Sequence, residues 1–407
     1  MPHNRGMLFA LAVAGTWACS MLMLMNFSVR RPQFELQQPR ALEWLVELHA
    51  TAEATLKGSC PREQQAFATH FGKLLERSAC GADRIGKRGH VTADLGSNEL
   101  GLYDVRHNPH GAGSGARSQV FADVVSAYFE LEFATETQAP SELIHVTCTG
   151  YVSPSGAQRL VVNKGWGALT HVTHAYHMGC YAAFPAIRIA AGHLSVPPAL
   201  RSCGGLPRAA RVDIVHTELC TLHLDPSDHS AEQCVVQSLF ADGFVRYSLC
   251  EMVGTTAQRG LELLAVSEQI LPDSAACMAW SVGDFGMRMT LTRDVPNRIA
   301  SALRPFVAEL FAKARVDLAD ALRHAVVAVH PGGPKIIDRV SEVLELTPAQ
   351  VRSSRDVLYE YGNMSSATLP HVWQRIVTDD AISTGTLIVS LAFGPGLTVC
   401  GALFRKH

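Results

Sequence analysis

Three separated stretches of this sequence carry side chains that could do chemistry. Cys180 follows Gly179 at the start of a predicted helix, where the helix dipole and free backbone N–H groups are expected to lower the pKa of its thiol. His330 ends the apolar run "AVVAVH" and is followed by the rigid turn Pro331–Pro334. Asn363 follows Gly362 in a loop of small residues that enters a predicted helix. A thiol, an imidazole and a carboxamide are therefore the candidate reactive groups.

Each of these residues also has a simpler interpretation when it is considered alone. Cys180 could be a buried, inert cysteine, since most isolated cysteines pack as small hydrophobes. His330 could be a strand-end histidine that bonds only to backbone. Asn363 could be a helix cap or a turn residue. The sequence must therefore supply further signals before a catalytic site is predicted.

A histidine series before the cysteine suggests a different chemistry, namely metal binding. His171, His174 and His177 are spaced by three residues and precede Cys180. Rotation along a helix would prevent the three rings from converging, and neither a carboxylate nor a second cysteine is placed to complete a site. We therefore expect no metal site.

The elements that must position these residues alternate between helices and buried strands. Amphipathic periodicity predicts helices over residues 39–56, 63–79 and 299–322. Apolar runs predict strands within residues 141–150, 234–244, 261–271 and 325–330, and a last strand, broken by a Gly-Pro-Gly loop, over residues 385–399. Residues 106–118 are predicted to be an exposed loop. This alternation indicates a layered α/β architecture.

The bulk composition excludes several classes of protein. The 407 residues are 47% hydrophobic and 18% charged, with a formal net charge of −2. Such a chain can form a large core, and its charge gives no support to binding of nucleic acid or of an anionic membrane. The 11 cysteines are scattered without a C-x-x-C pair, which indicates free thiols in a reducing compartment.

The N-terminal segment has several interpretations. Residues 7–25 carry no charge, so they could form a short membrane span or a signal peptide. They could also be an over-extended start, because Met21, Met23 and Met25 are in-frame methionines. We predict that residues 1–25 are an extension outside the fold. Apart from this segment, we expect no contact between the protein and a membrane.

Six ordered motifs show a resemblance to a known family. The chain contains "MGCYAAF" at Cys180, "VHPGGPK" at His330 and "YEYGNMSSAT" at Asn363, together with "QSLFADG", "LTRDVP" and "AFGPGLTV". This set resembles the type III polyketide synthases, the chalcone and stilbene synthase family. The resemblance extends from Phe27 to the end of the chain, and "ELCTLHLDP" at residues 218–226 is similar to bacterial members.

The resemblance implies a fold and a division of the chain. The expected fold class is α/β, a thiolase fold in which two similar layered αβ halves face a buried active site. The half that carries the nucleophile would span residues 26–255. The half that carries the histidine and the asparagine would span residues 256–407.

The resemblance also implies roles for individual residues. Cys180 would be the nucleophile that carries the acyl chain, and His330 and Asn363 would hydrogen-bond the thioester carbonyl during decarboxylation. Phe240 and Met289 would form a gate between the coenzyme A tunnel and the inner cavity, with Met289 at a position where plant members place phenylalanine. Candidates for binding the coenzyme A phosphates are Lys335, Lys73 and Arg77.

The function implied is condensation of an acyl-CoA starter with malonyl-CoA to give a pyrone or resorcinol-type product. Such an enzyme would be a cytoplasmic homodimer, and it would use acyl-CoA and malonyl-CoA as substrates without a bound cofactor. One alternative is a β-ketoacyl-carrier-protein synthase III, which has the same three residue types on the same fold. Another is a non-catalytic, membrane-anchored scaffold on a degenerate thiolase fold.

Overall fold

A computed structural model describes residues 21–97, 101–197, 211–252 and 258–407. The strands are β1 Met21–Arg30, β2 Phe34–Gln37, β3 Lys87–His90, β4 Glu142–Thr147, β5 His171–Tyr176, β6 Arg211–Leu219, β7 Asp242–Met252, β8 Leu261–Ile270, β9 Met278–Gly283, β10 Gly286–Leu291, β11 Val326–Val329, β12 Leu387–Gly394 and β13 Thr398–Lys406.

The α-helices surround these strands, and short 3₁₀ turns lie at several of the junctions. Their bounds are α1 Gln38–Lys57, α2 Pro61–Ser78, α3 Ser114–Glu132, α4 Gly156–Asn163, α5 Ala183–Ser195, α6 Ala231–Leu239, α7 Val295–Ala314, α8 Leu318–His324, α9 Pro334–Leu344, α10 Arg352–Tyr361 and α11 Thr368–Thr378. No helix in the described ranges is both long enough and apolar enough to cross a membrane.

One mixed sheet runs through both predicted halves of the chain. Its nine strands lie in the order β11-β12-β13-β8-β1-β7-β6-β4-β5. The pairs β11–β12, β4–β5 and β4–β6 are parallel, and the other neighbouring pairs are antiparallel. The predicted boundary at residue 255 lies outside the described residues.

The first strand corrects the predicted N-terminal boundary. Met21–Met25 form the first half of β1, which pairs with β7 on one side and with β8 on the other. Met23 and Leu24 are 1% and 0% exposed. The prediction that residues 1–25 lie outside the fold is therefore wrong for Met21–Met25, because a strand buried on both faces is as uniformly apolar as a membrane span. Residues 1–20 lie outside the described part of the chain.

The strands alternate their side chains between two faces of the sheet. On one face a single core extends over both predicted halves and includes Ile144 of β4, Ile388 of β12 and Trp373 of α11. The opposite face has two cores, one around α7 and α9 and one around α1, α3 and α4. The site described below lies where elements of both halves meet.

Several predicted elements need correction. The apolar run after Cys234 forms helix α6 instead of a strand, because Ser230 caps the helix by accepting a hydrogen bond from the Gln233 backbone N–H. The predicted helix over 299–322 divides into α7 and α8 at Arg315, which has φ +56°. Residues 385–399 contribute to two strands, β12 and β13, joined by a turn.

The predicted exposed loop is only partly a loop. Helix α3 begins at Ser114, and Arg117 is 1% exposed. Its guanidinium donates hydrogen bonds to the carbonyl oxygens of Ala112, His110 and Leu224, at 2.6, 2.9 and 3.1 Å. A buried arginine thus holds this segment in place, which composition alone did not indicate.

Candidate active site

Cys180 lies in a one-turn 3₁₀ helix, Gly179–Tyr181, immediately before α5. Gly179 has φ +74°, and a Cβ atom there would lie 2.7 Å from Cδ of Pro395. Only glycine fits this position, because both the backbone conformation and the close approach exclude a side chain. The β12–β13 turn therefore packs directly against the residue that precedes the thiol.

Burial dominates the electrostatics of Cys180, which is 7% exposed. Burial raises the pKa of its thiol to about 12, while hydrogen bonds from Ser365 and Asn363 act in the opposite direction. The nearby carboxyl group of Glu218 raises this pKa further. The prediction of a lowered thiol pKa is wrong for the unliganded site, since desolvation outweighs the favourable dipole of the helix N-terminus.

His330 follows β11 and is held by its backbone. Its N–H donates to the Leu391 carbonyl oxygen at 2.7 Å, and its own carbonyl accepts from the Gly332 N–H at 2.8 Å. The ring is 1% exposed, and neither Nδ1 nor Nε2 has a hydrogen-bond partner among the described residues. Burial lowers the pKa of this ring to about 3, so it is neutral at pH 7. A buried imidazole without partners is unusual and indicates a binding role.

Asn363 is fixed between two segments of the chain. Its N–H donates to the Leu239 carbonyl at 3.0 Å, and its carbonyl accepts from the Ala241 N–H at 2.9 Å. Its side-chain Oδ1 accepts from the Ser365 N–H at 2.9 Å. The interpretation of Asn363 as a turn residue therefore holds for its side-chain oxygen atom. The same carboxamide also forms a hydrogen bond with Cys180, which lowers the pKa of that thiol.

One cavity of about 680 Å³ brings most of the predicted site residues together. Those that line it are Cys180, His330, Asn363, Phe240, Met289, Lys335 and Arg77. A volume of this size is typical of sites for small ligands and cofactors. Lys73 does not line this cavity, although its carbonyl oxygen accepts a hydrogen bond from Arg77 Nε at 3.0 Å.

The outer part of the cavity carries cations. Arg77, Arg293 and Lys335 all line it, and none of the three makes an ion pair with a residue in the described ranges. Lys335 lies in the first turn of α9, whose N-terminus also faces the cavity. Arg293 was missed as a binding residue, although the motif "LTRDVP" contains it.

A second, much smaller cavity lies beyond the thiol. Its volume is about 20 Å³, and Cys180, Phe240 and Met289 line both cavities. The side chains of Phe240 and Met289, the two residues of the predicted gate, therefore lie where the two cavities meet. The inner cavity is also lined by Cys148, Cys220, Trp280 and Ser365, which sequence reasoning did not single out.

A buried polar network lies behind the inner cavity. The Ser365 hydroxyl is 3.1 Å from Sγ of Cys148 and 3.7 Å from Sγ of Cys180. Glu218 accepts hydrogen bonds from the Cys148 N–H and the Thr149 hydroxyl, both at 3.0 Å. Burial raises the pKa of the Glu218 carboxyl group. The motif that contains Ser365 was recognised, but the proximity of Ser365 and Cys148 to Cys180 depends on the folded structure.

The three histidines before Cys180 do not converge. His174 Nε2 lies 2.8 Å from the Ser155 hydroxyl, whereas His177 Nε2 donates to the Trp280 carbonyl at 2.9 Å. Their rings are therefore occupied with different neighbours. Within the described part of the chain, no group of three or more potential ligands is arranged to hold a metal ion.

Comparison with known proteins finds a family that matches the C-terminal part of the chain. Residues 262–406 match the family described as chalcone and stilbene synthases, C-terminal domain. This part of the chain is therefore similar to the C-terminal domain of the chalcone and stilbene synthases. The predicted resemblance and the predicted α/β fold are confirmed, and the matched region contains two of the three residues described above, His330 and Asn363.

Two sequence relatives and one solved structure extend this comparison. The 1,3,6,8-tetrahydroxynaphthalene synthase of Streptomyces coelicolor is 29% identical over 284 residues, which cover 70% of each protein. Probable polyketide synthase 1 of Dictyostelium discoideum is 27% identical over 268 residues, 65% of this chain but only 8% of that protein. The chain therefore corresponds to only a small part of the Dictyostelium relative.

The solved structure shares the fold over nearly the whole chain. The C-terminal type III polyketide synthase domain of Steely1, a type I/III hybrid from Dictyostelium, superposes with a TM-score of 0.77 at 22% identity. The match covers 95% of this chain and 99% of that domain.

Proposed function

We propose that this chain is a type III polyketide synthase, which joins an acyl-CoA starter to malonyl-CoA by decarboxylative Claisen condensation. The observation that carries the proposal is the convergence of Cys180, His330 and Asn363 on one cavity of about 680 Å³. The inference also rests on the match to the chalcone and stilbene synthase C-terminal domain and on a relative that is named a probable polyketide synthase. The product would be a pyrone or a resorcinol-type ring.

Acyl loading would begin at Cys180. The neutral ring of His330 accepts the thiol proton, and the thiolate attacks the thioester carbonyl of the starter. The carbon–sulfur bond to coenzyme A breaks, and the leaving thiolate takes the proton from the imidazolium. The products of this step are an acyl group on Cys180 and free coenzyme A.

Extension would use the hydrogen-bond donors of the same site. His330 and Asn363 would donate to the thioester oxygen of malonyl-CoA while the bond to its carboxylate breaks and carbon dioxide leaves. The released electron pair forms an enolate, which attacks the carbonyl carbon of the acyl group. A carbon–carbon bond forms, the Cys180 thiolate leaves, and the product is a β-ketoacyl-CoA. Burial of the site strengthens these donors, since water is excluded.

The outer cations would bind the substrate. Arg77, Arg293 and Lys335 are exposed and line the cavity. In this proposal they bind the phosphate groups of coenzyme A. Arginine and lysine side chains recognise phosphate through charge-assisted hydrogen bonds. Phe240 and Met289 would separate this binding region from the inner cavity.

We also propose that the enzyme is a homodimer. Strand β5 lies at the end of the sheet and pairs only with β4 among the described strands. Tyr151, Val162 and Leu169 are 43%, 73% and 44% exposed. An unpaired sheet edge together with exposed apolar side chains favours association with a second copy. Sedimentation of the purified protein would give twice the chain mass, and a monomer at micromolar concentration would contradict the proposal.

We place the enzyme in the cytoplasm as part of the same proposal. Nine cysteines are free in the described part of the chain. Free thiols in this number are typical of a reducing compartment.

One experiment tests the proposed reaction against its main rival. The purified protein is incubated with malonyl-CoA and a series of acyl-CoA starters, and the products are analysed by mass spectrometry. A parallel series supplies malonyl groups on acyl carrier protein, which a β-ketoacyl-carrier-protein synthase III would use. We expect cyclised products from malonyl-CoA and none from a Cys180→Ala variant. Turnover only with the carrier protein would favour the rival, and no carbon dioxide release in either series would indicate a non-catalytic scaffold.

A further inference from the structure

The two residues of the proposed gate are held in different ways. Phe240 follows α6, and its N–H donates to the Val236 carbonyl at 3.1 Å, while its backbone forms a parallel bridge with Asn363. Met289 lies in the β9–β10 hairpin, opposite Trp280. This hairpin forms a two-stranded sheet of its own, separate from the nine-stranded sheet. The position of Met289 therefore depends on what holds the hairpin in place.

Side chains hold the outer edge of the hairpin. One edge of β10 pairs with β9, and alternate residues of β10 direct their backbone groups away from that partner. The Met287 N–H donates to Nδ1 of His223 at 3.1 Å. The Leu291 N–H donates to the Glu232 carboxylate at 2.6 Å. Side chains, and not a further strand, therefore satisfy these backbone groups.

Gln233 makes the contact that bears directly on the gate. Its side-chain Nε2 donates a hydrogen bond to the backbone carbonyl oxygen of Met289 at 2.9 Å. Gln233 lies in the first turn of α6 and is 5% exposed, and a hydrogen bond in such surroundings is stronger than one in water. Helix α6 ends at Leu239, directly before Phe240. One side chain therefore ties the strand of Met289 to the helix that leads into Phe240.

Loss of this hydrogen bond would loosen the hairpin without unfolding it. The pairs between β9 and β10 do not involve Gln233, so the hairpin would keep its own backbone ladder. The Met289 carbonyl would lose its donor, and a buried carbonyl without a donor is costly. Water reaches this oxygen when β10 and α6 separate. Because Phe240, Met289 and Cys180 line both cavities, such a separation would widen the space beside the thiol.

We propose that Gln233 is a positioning residue for the gate, and that its hydrogen bond to the Met289 carbonyl keeps the space beside Cys180 narrow. The consequence for substrates rests on the proposed polyketide synthase function, since a wider space admits bulkier acyl groups. Gln233 itself lines neither cavity. It acts through Met289 and takes no part in loading, decarboxylation or bond formation.

Size-selective alkylation of Cys180 tests the width of this space without requiring catalysis. The full-length protein is treated in separate reactions with iodoacetamide and with a maleimide that carries a pyrene ring, and peptide mass spectrometry measures the rate at each cysteine. The ratio of the two rates at Cys180 reports access, because the same thiolate attacks both reagents. The ratio at the exposed Cys60 corrects for reagent reactivity, and labelling of Cys400, which is 0% exposed, reports unfolding.

Two substitutions remove the donor, and a third is the matched control. Gln233→Met keeps the length of the side chain, and Gln233→Leu has a different shape. Gln237→Met makes the same change one turn further along α6, at a residue that is 2% exposed and whose carboxamide donates to the Asp225 carbonyl at 3.0 Å. Each change removes a buried hydrogen bond, so the general loss of stability should be similar. Thermal melting measures that loss.

We expect both Gln233 variants to raise the corrected ratio at Cys180 about two- to tenfold, the effect on an opening equilibrium of losing one ordinary hydrogen bond. Gln237→Met should leave this ratio unchanged, and Cys400 should stay unlabelled throughout. If one Gln233 variant does not fold, the other decides. Ratios equal to that of the wild type would overturn the proposal, and so would an equal rise in Gln237→Met. Failure of both Gln233 variants to fold would also overturn it, since Gln233 would then be a structural residue.

Substrate preference separates this inference from the proposed function. The kcat/KM for benzoyl-CoA relative to that for hexanoyl-CoA should rise in Gln233→Met and stay constant in Gln237→Met. If the wild type neither releases carbon dioxide from malonyl-CoA nor extends a starter, the polyketide synthase function fails, while the alkylation ratio still decides the role of Gln233. If the wild type does both, but neither the ratio nor the preference depends on residue 233, only the role of Gln233 fails.

Discussion

Nη1 of Arg88 donates a hydrogen bond to the carbonyl oxygen of Phe240 at 2.6 Å. The same atom donates to the Gln237 carbonyl at 2.9 Å, so this guanidinium satisfies the C-terminal end of helix α6. Arg88 is 5% exposed and makes no ion pair with a described residue. Burial lowers its pKa to about 10, and it remains charged at pH 7. A positive charge at a helix C-terminus stabilises the helix, and here it also fixes the segment that pairs with Asn363.

We therefore expect Arg88→Met to disturb the positions of both Phe240, a residue of the proposed gate, and the Asn363 carboxamide. Losing charge-assisted hydrogen bonds to buried carbonyls should lower the free energy of unfolding by about 3 kcal/mol. Among molecules that remain folded, carbon dioxide release from malonyl-CoA should fall more than acyl loading, because Asn363 acts chiefly in decarboxylation in the proposed mechanism. Urea unfolding and the two partial reactions measure this. Arg84→Met, at an exposed arginine nearby, is the control, and equal losses in both partial reactions would limit Arg88 to a structural role.

The second prediction divides the roles of the three central residues. Cys180→Ala should abolish acyl loading but retain decarboxylation of malonyl-CoA, because His330 and Asn363 remain. Asn363→Ala should reduce decarboxylation by about 10²–10³-fold, the usual effect of removing one donor to a developing oxyanion, while loading persists. Radiolabelled starter and carbon dioxide release measure the two steps. The exposed Asn297→Ala is the control, and an equal loss of loading in both active-site variants would show that the roles are wrongly assigned.

The third prediction concerns pH. Burial raises the pKa of Cys180 to about 12 and lowers that of His330 to about 3, so each group alone is neutral at pH 7. If His330 accepts the thiol proton, the adjacent imidazolium stabilises the thiolate. Alkylation of Cys180 by iodoacetamide should then vary little between about pH 6 and 9.

Removing the imidazole should change that profile. In His330→Ala, the thiolate fraction must rise with pH, so alkylation should be slower at pH 7 by about 10²-fold or more and should increase about tenfold per pH unit. The exposed His324→Ala should behave like the wild type. Identical profiles for His330→Ala and the wild type would remove His330 as the proton acceptor.

The fourth prediction concerns recognition of coenzyme A. Lys335→Glu should raise the acyl-CoA concentration needed for half-maximal loading by about tenfold to a hundredfold, since a hydrogen bond to a charged group contributes about 1.5–3 kcal/mol. Lys73→Glu makes the same charge change on a residue that does not line the cavity. We expect a much smaller effect there. Equal effects from the two variants would indicate long-range charge attraction without a specific contact.

The fifth prediction concerns the N-terminal strand. A chain that starts at Met25 lacks Met21–Leu24 and with them the buried side chains of Met23 and Leu24. Burial of one such side chain contributes about 1.5–3 kcal/mol, so the loss should be at least about 3 kcal/mol, a large part of the usual stability of a domain. A chain that starts at Met21 is the matched reference. Urea midpoints and soluble yield measure the difference, and equal stability would show that the first half of β1 is dispensable.

Short motifs surround the candidate reactive groups, so the sequence was able to single them out. Cys180, His330 and Asn363 lie in such motifs, and the cavity they line joins elements that are far apart in the chain. The raised pKa of the Cys180 thiol was not predicted, because the desolvation of this group depends on all the residues packed around it. Trp280 was missed, since its relation to Met289 requires the register of a hairpin.

Two other failures have a common cause. The apolar run before Asn26 was interpreted as an extension, and the run after Cys234 as a strand. Composition alone does not distinguish a doubly buried strand, a buried helix and a membrane span when the segment is short. The first run becomes a strand because β1 has pairing partners in the sheet, and the second becomes helix α6 because Ser230 caps its N-terminus.

The position of β1 also has a consequence for how the protein is made. Strand β1 precedes the other described strands in the chain, yet Met21 pairs with Met252 and Leu24 pairs with Leu261. Contacts between residues so distant in sequence slow folding, and here they cannot form until Leu261 has left the ribosome. During that time an apolar strand remains without its partners, which makes the nascent chain prone to aggregation. Completion of the central sheet is therefore a late step of folding, and expression at low temperature or with chaperones should favour it.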